Sequence, residues 1–402
     1  MALRTTYSSE SWSKIYQAFS AVSFVSYDFD SIKQSLVDYT RTYYPEQFND
    51  YIQSSEYIAM LEMFAYVAEQ IAYRIDMVSH ENFITTAQRK QSILRLAKLI
   101  SYKATRNIPV RGLVKLTSIS TSENVVDSRG INLSGLTITW NDPNNANWKE
   151  QFILIMNRVL STRFGQPQKT TQVGDVVMDL YSLKNDPASL RNGVFPFSAS
   201  TGIESFPMEV VPADIDENGP FEREPDLISS LSIIYANDGI GDGSDYTGFL
   251  MFTKQGVLAR IDYDIADVLP DRRVEFLPQN VNHTDVWVQK INQDGTIAER
   301  WKQVDTISEQ NLVFNDNRST RKKFEVDTRE NDQIAVVFGD GDFSDAPQGQ
   351  FRFWMRQSAN RSLVIQKNKI VNEALGFTYT SAIGNLETCS ATFSLTSTLQ
   401  NG

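Results

Sequence analysis

Between Tyr57 and Val78 the chain runs without a single glycine or proline, and its apolar side chains fall at Tyr57, Met60, Leu61, Phe64, Val67, Ala68, Ile71, Ile75 and Val78. Steps of three and four place these residues on one stripe of a helix with about 3.6 residues per turn. Glu62, Glu69, Arg74 and Asp76 interrupt the run with charge, so it does not read as a transmembrane span. Two readings stay open for the stripe. It is either an ordinary core-facing helix or a docking face for partner helices, with Tyr57, Met60, Leu61, Phe64, Val67, Ile71 and Ile75 as candidate interface residues.

The surroundings are helical too. Thr85-Thr86-Ala87-Gln88 offers a capping box, in which a threonine oxygen takes the third amide while Gln88 reaches back. The helix behind it is expected to run to about Ile100 with Ile93, Leu96, Ala97 and Ile100 on one side. A weaker helix is framed by Asp30-Ser31 and Pro45, with Ile32, Leu36 and Tyr39 facing inward. Residues 1–105 therefore read as a helical region.

A chain of 402 residues is too long for one ordinary core, at roughly 150 residues per domain. Near Lys103 its character changes. Pro109 and Gly112 punctuate it, and Leu113-Val114-Lys115-Leu116-Thr117 opens a β-rich region. Residues 131–140 alternate as a half-buried strand does. Asn141-Asp142-Pro143-Asn144-Asn145 is a turn. The segment 204–228 carries eight acidic residues against Arg223 and four prolines, and reads as an exposed loop or linker. Asp285–Ile291, Asp294-Gly295 and Ile297–Trp301 spell a hairpin. Ile334–Phe338 is a short buried strand, and Phe351–Arg356 is another with Arg352 and Arg356 on one face and Phe351, Phe353 and Met355 on the other. The fold class is α+β and multi-domain: a helical region over 1–105, a β-rich middle over 106–230 with an acidic loop, a β domain over 231–360, and a segment over 361–402. The ending at Gly402 closes no recognisable element, which points to a chain that continues beyond it.

Charge and chemistry narrow the function. The 49 acidic residues outnumber the 38 basic ones, a net of −11, so the overall field repels nucleic acid and anionic membrane. A single cysteine, Cys389, builds neither an intramolecular disulfide nor a thiolate zinc site, and fits a reducing compartment. The N-terminus shows no secretory pattern. The only two histidines are His80, just past the long helix, and His283 in the polar stretch Asn280–Thr284, read as a turn. Neither sits near a nucleophile motif, and no phosphate loop, zinc-protease motif or serine elbow is present.

Two aspartate–glycine segments have both a chemical and a structural reading. Asp238, Asp242 and Asp245 stand in a glycine-rich stretch that could converge on Ca²⁺, yet Phe249 occupies the position where an EF-hand loop needs a bidentate glutamate. The structural reading is a tight solvent-facing loop. Asp340 and Asp342 in Phe338-Gly339-Asp340-Gly341-Asp342 could pair for glycoside cleavage. Structurally they form a turn in which Asp340 binds its own backbone and both Gly339 and Gly341 need positive φ. No cofactor and no metal is expected.

Val336-Val337-Phe338-Gly339-Asp340-Gly341-Asp342-Phe343, followed by Pro347, Gly349 and the strand to Arg356, resembles the FGDG signature of the baseplate J-like family, in its T-even-type baseplate wedge branch. Ser344 or Asp345 stands where a glycine is usual, and Met355-Arg356 where Tyr-Arg is common. Asp285-Val286-Trp287-Val288, the segment Trp301–Val304, Phe324-Glu325-Val326, Asp28–Lys33, Arg95-Leu96-Ala97 and Ser101-Tyr102 follow the family order, so the likeness covers roughly 27–118 and 231–360.

The resemblance implies a structural protein without catalysis. It would be a component of a contractile phage tail's baseplate wedge, joining wedges into a ring around the hub and relaying the change that triggers sheath contraction. Its implied partners are other wedge proteins and itself, two copies per wedge, in a virion assembled in the bacterial cytoplasm. The family also carries a C-terminal self-association portion, of which this sequence is expected to fall short. Two other classes compete: a tail-associated glycan hydrolase using Asp238, Asp242, Asp340 and Asp342, and a host-surface binding module.

Overall fold

The computed structural model describes residues 28–43, 55–100, 102, 108–200, 204–307, 321–329, 333–342, 344–358 and 363–400. Pro45, Lys103, Phe343, Arg361 and the closing Asn401-Gly402, on which several expectations rest, lie outside them. The chain divides into two compact units, Met1–Ala104 and Thr105–Gly402. The first is helical and the second β-rich, an α+β, multi-domain architecture.

The helical unit contains α1 (Phe29–Tyr43), α2 (Ser55–Glu81) and α3 (Lys90–Leu99). α1 starts one residue before the expected frame, because Asp28 Oδ1 accepts the Ser31 N–H at 3.0 Å and satisfies one of the amides a helix start leaves open. α1 and α2 pack together, and Lys33 Nζ donates to Glu62 Oε1 across them at 2.6 Å. Ile32 and Leu36 are half-buried, whereas Tyr39, expected inside, is exposed.

The expected capping box does not form. Arg89 is the N-cap residue of α3 and makes no side-chain cap. Instead Thr86 Oγ1 donates back to the His80 carbonyl at 2.7 Å, closing the end of α2. Glu81 takes the amides of Gln88 and Arg89 at 3.1 and 3.2 Å. A carboxylate from the end of one helix thus caps the next, which favours negative charge there. Of the α3 side expected to face inward, Ala97 is buried and Leu96 half-buried, but Ile93 and Ile100 are exposed.

In the β unit the strands are β1 (Arg111–Thr121), β2 (Ile138–Thr139), β3 (Lys169–Val173), β4 (Val176–Ser182), β5 (Phe195–Ser200), β6 (Ser205–Val210), β7 (Ala213–Asp216), β8 (Gly219–Glu222), β9 (Ser232–Asn237) and β10 (Gly248–Gln255). They are followed by β11 (Val257–Ile265), β12 (Arg273–Glu275), β13 (Val281–Ile291), β14 (Ile297–Gln303), β15 (Lys323–Thr328), β16 (Ile334–Phe338) and β17 (Gly349–Gln357). The last four are β18 (Val364–Ile365), β19 (Glu373–Thr380), β20 (Leu386–Leu395) and β21 (Leu399–Gln400). A ten-stranded sheet has the order β19-β20-β1-β10-β9-β4-β3, with β2, β5 and β6 alongside; a seven-stranded sheet has the order β11-β17-β13-β14-β15-β16-β12. Strand pairing crosses residues 230/231 and 360/361, since β20 runs antiparallel to β1 and β10 pairs with both β1 and β6.

Three sequence readings change here. Residues 131–140 are mostly turn, with only Ile138–Thr139 in a strand; Gly135 at φ 71° reverses the chain, and Leu133 is the buried anchor. A further helix, α4 (Trp148–Val159), follows the Asn141–Asn145 turn. Its Phe152, Ile155, Met156 and Val159 are fully buried in the core of the larger sheet, where Trp140, Phe152 and Phe249 meet with ring centroids 5.2–5.8 Å apart. The acidic stretch 204–228 is not an exposed linker: it supplies β6, β7 and β8, and Met208, Val210, Val211, Ala213 and Ile215 are buried. The hairpin of β13 and β14 forms as expected around Gly295 at φ 82°.

Candidate partner interface, the glycine–aspartate turn and a buried charge cluster

The stripe of α2 is divided by the structure. Leu61 and Ala65 are buried, with Ile58, Ala68 and Ala72 half-buried around them. About a quarter turn round the helix, at 100° per residue, stand Met60, Phe64, Val67, Ile71, Ile75 and Val78, each 48–62% exposed. Tyr57 is half-buried. Met63, Tyr66 and Tyr73 are exposed as well. The residue types that drive burial thus occupy two faces of one helix. α1 accompanies one of them, and the other forms a contiguous apolar surface of the kind that marks interaction sites. Of the seven candidate interface residues, Met60, Phe64, Val67, Ile71 and Ile75 lie on the open side, while Leu61 belongs to the buried one.

The Gly339–Asp342 turn closes β16. Phe338, fully buried, meets Trp301 and Phe351 edge-on at 5.2 and 5.8 Å. Asp340 Oδ1 accepts the Asp342 N–H at 3.0 Å, the self-binding expected of the turn. Gly341 has φ 93°, and its carbonyl and that of Asp342 accept from Arg321 at 2.7 and 2.8 Å. Gly339 differs from expectation. Its φ is not positive; a Cβ there would stand 1.6 Å from Ser344 Oγ and 2.7 Å from Ser344 Cβ. Space, not backbone handedness, requires this glycine.

In the Asp238–Asp245 loop each carboxylate has its own partner. Asp238 accepts from Ser244 Oγ, from Thr247 Oγ1 at 2.6 Å and from the Ile240 N–H at 3.1 Å. These bonds, that to Ser244 foremost, hold its carboxyl below the ordinary range. Lys149 Nζ reaches Asp242 at 2.8 Å, and Lys367 pairs with Asp245. Lys115 Nζ donates to the Ser244 carbonyl at 2.6 Å; burial lowers its pKa while the three aspartates oppose that. Three ammonium groups thus surround the loop, and no set of three or more metal-ligating side chains gathers among the described residues.

The other titratable candidates are structural. His80 Nε2 lies 3.2 Å from Asp76 Oδ1 within α2. His283 sits in β13 rather than a turn and is buried, its carbonyl accepting from Gln303 at 2.9 Å. The buried Cys389 thiol is pushed up to about 12 by desolvation, which keeps it unreactive.

Sequence reasoning missed a buried cluster of charged side chains among the described residues. Arg352 and Arg356, read as one polar face of β17, are both buried. Arg356 donates to Glu209 of β6 and, at 2.6 Å, to Glu222 of β8. Lys254 of β10 bridges Glu222 at 3.0 Å and Asp285 of β13 at 2.6 Å. Glu209 also accepts the Leu258 N–H at 3.1 Å. Burial raises the Glu209 pKa despite Arg356 beside it. Desolvation works against the Arg356 charge, but Glu222, Glu209 and Asp285 together prevail and raise its pKa. Alongside, the Trp354 indole N–H donates to Gln289 at 2.9 Å, and the Gln289 amide donates to Glu224 at 2.7 Å. The available signal was the alternation Phe206, Met208, Val210 inside the acidic run, which marks a strand rather than a linker.

Residues 28–99, which span α1, α2 and α3, match a family model described as bacteriophage baseplate protein, N-terminal domain. That match supports a phage baseplate protein with a structural role and a tail-baseplate location. No curated protein matches the chain. No helix among the described residues is long and apolar enough to cross a membrane. The broader match covers residues 112–398, more than half of the chain, and by it the chain belongs to the family described as Domain of unknown function (DUF8360).

Proposed function

We propose that this protein is a structural component of a baseplate wedge in a contractile phage tail, joining wedges into a ring around the hub and relaying the change that triggers sheath contraction. The observation that carries the proposal is the open face of α2. It lies inside the segment that matches the baseplate N-terminal domain, and it presents Met60, Phe64, Val67, Ile71 and Ile75 to solvent. Removing apolar area from water contributes about 25 cal/mol per Å², so a partner helix laid along this stripe gains affinity from each of these side chains. The partners we assign are other wedge proteins and a second copy of this chain, two per wedge, assembled in the host cytoplasm. We assign no catalytic role to Asp238, Asp242, Asp340 or Asp342, and no cofactor, nucleic acid or membrane to the protein.

The test is location and composition. Gold-labelled antibody against the chain should decorate only the tail end of extended particles, or appear there after partial disassembly. Co-expressed wedge proteins should co-purify with the wild-type chain and not with Phe64→Asp. Absence of the chain from particles, or full partner recovery by Phe64→Asp, would sink the proposal.

A further inference from the structure

Between β10 and β11 a single residue connects the two large sheets along the chain, joining an inner strand of one to an edge strand of the other. β10 of the ten-stranded sheet ends at Gln255 and β11 of the seven-stranded sheet begins at Val257, so Gly256 alone makes the crossing. It has φ 112°, and a Cβ there would stand 2.3 Å from the Gln357 carbonyl oxygen. Its N–H donates to the Pro207 carbonyl at 2.9 Å. The crossing is therefore tied to β6 on one side and pressed against the end of β17 on the other, with no slack in the connection.

The charge cluster surrounds this crossing. Lys254 stands two residues before it, and the Leu258 amide held by Glu209 lies two residues after. Arg356 and Asp285 come from the seven-stranded sheet, Lys254 and Glu209 from the ten-stranded one, and Glu222 from the β7–β8 hairpin. Three carboxylates face two cations. Such a cluster is a poor source of net stability, because the desolvation of each ion offsets most of the mutual attraction, and apolar side chains of similar volume do as well or better. Its distinguishing property is direction. A guanidinium is a planar fork whose donors meet two carboxylates in few geometries, and Arg356 takes one from each of two different strands.

We propose that the Gly256 crossing and the Arg356–Glu209–Glu222–Lys254–Asp285 cluster form an orientation lock, which sets the angle between the two sheets and makes them move as one body. Displacement imposed on one sheet then passes to the other without bending at the seam.

Spin labels at Gln172→Cys in β3 and Ala298→Cys in β14, both exposed, report the angle as a distance distribution by double electron–electron resonance on the full chain. The wild type should give one narrow distance. Arg356→Met, Glu209→Leu and Glu222→Leu combined leave Lys254 and Asp285 as a balanced pair. This variant should keep a melting midpoint near the wild type, with a broadened or doubled distance. A single narrow wild-type distance in that variant would overturn the lock. Should the variant fail to fold, hydrogen exchange on the wild type decides: the Gly256 and Leu258 amides should exchange only with the slowest amides of both sheets. Exchange of those two well ahead of the sheets would overturn it equally.

Discussion

The two units distribute polarity in opposite senses. The β unit places Arg356, Lys254, Glu209 and Asp285 inside and pairs each with an opposite charge from its own strands. The helical unit leaves Phe64, Val67, Ile71 and Ile75 outside. Buried charge persists only where its partners are already in place, so the β unit is complete in itself at this seam. Exposed apolar surface on one helix face is the reverse condition, of the kind that marks interaction sites. The unit matched to the baseplate N-terminal domain is the one that carries this exposed helix face.

The largest effect that can break this comparison is loss of the central cation. Arg356→Met leaves Glu209 and Glu222 buried without it, and should cost about 3–5 kcal/mol, read as a lowered denaturant midpoint of the β unit. A loss below 1 kcal/mol would mean that the interior accommodates a carboxylate, Glu209, stripped of its cation, and the contrast between the units would fail.

That cluster also marks the limit of what the sequence made legible. Strands announced by a simple period, such as Ile334–Phe338 and Phe351–Arg356, stand where they are expected. The turn at Asp340 was readable because the bond from the Asp342 N–H to its carboxylate spans only two residues. The cluster was not, because Arg356 meets partners 147 and 134 residues away in sequence, and a run of acids carries no mark of what will neutralise it. α4 was hidden for a different reason: Phe152-Ile153-Leu154-Ile155-Met156 is a short continuous apolar run, in which helix and strand periods are hard to tell apart. The α2 stripe was readable as a helix, but not as two faces. Leu61 is buried and Phe64 exposed on the same stripe, a difference that tertiary packing makes and no local pattern reports.

The next effect separates two glycines within one turn. Gly339→Ala should cost about 1–3 kcal/mol by overpacking against Ser344, and Gly341→Ala about 1–2 kcal/mol by holding a side chain at positive φ. Adding Ser344→Gly should recover part of the first loss and none of the second in thermal denaturation. Equal recovery of both would mean that the turn, not the individual positions, is strained.

Smaller again is the intrinsic stability change at the open helix face. Phe64→Asp should shift the unfolding free energy of the isolated full chain by no more than about 0.5 kcal/mol, although under the proposed function the same change should remove partner binding. A loss of several kcal/mol instead would place Phe64 in a core and erase the difference between the units.

The smallest expected effect is a titration, and its sign differs between the units. Glu81 has its pKa lowered, by a bond to Ser92 first and then by the amides of Gln88 and Arg89. Its contribution to α3 is therefore present above the ordinary glutamate range and lost as pH falls through the depressed value. Glu209 is raised by burial, so the folded β unit holds that proton more tightly than the unfolded chain and gains stability as pH falls from neutral toward the raised value. Amide shifts of Gln88 and Arg89, followed by NMR, should move only at the acid end of a titration and lose that step in Glu81→Gln. Leu258, whose amide faces Glu209, should begin to move at higher pH. Coincident titration of the two sites would mean that burial around Glu209 is not felt by its proton, and the interior of the β unit would have to be more polar than its packing implies.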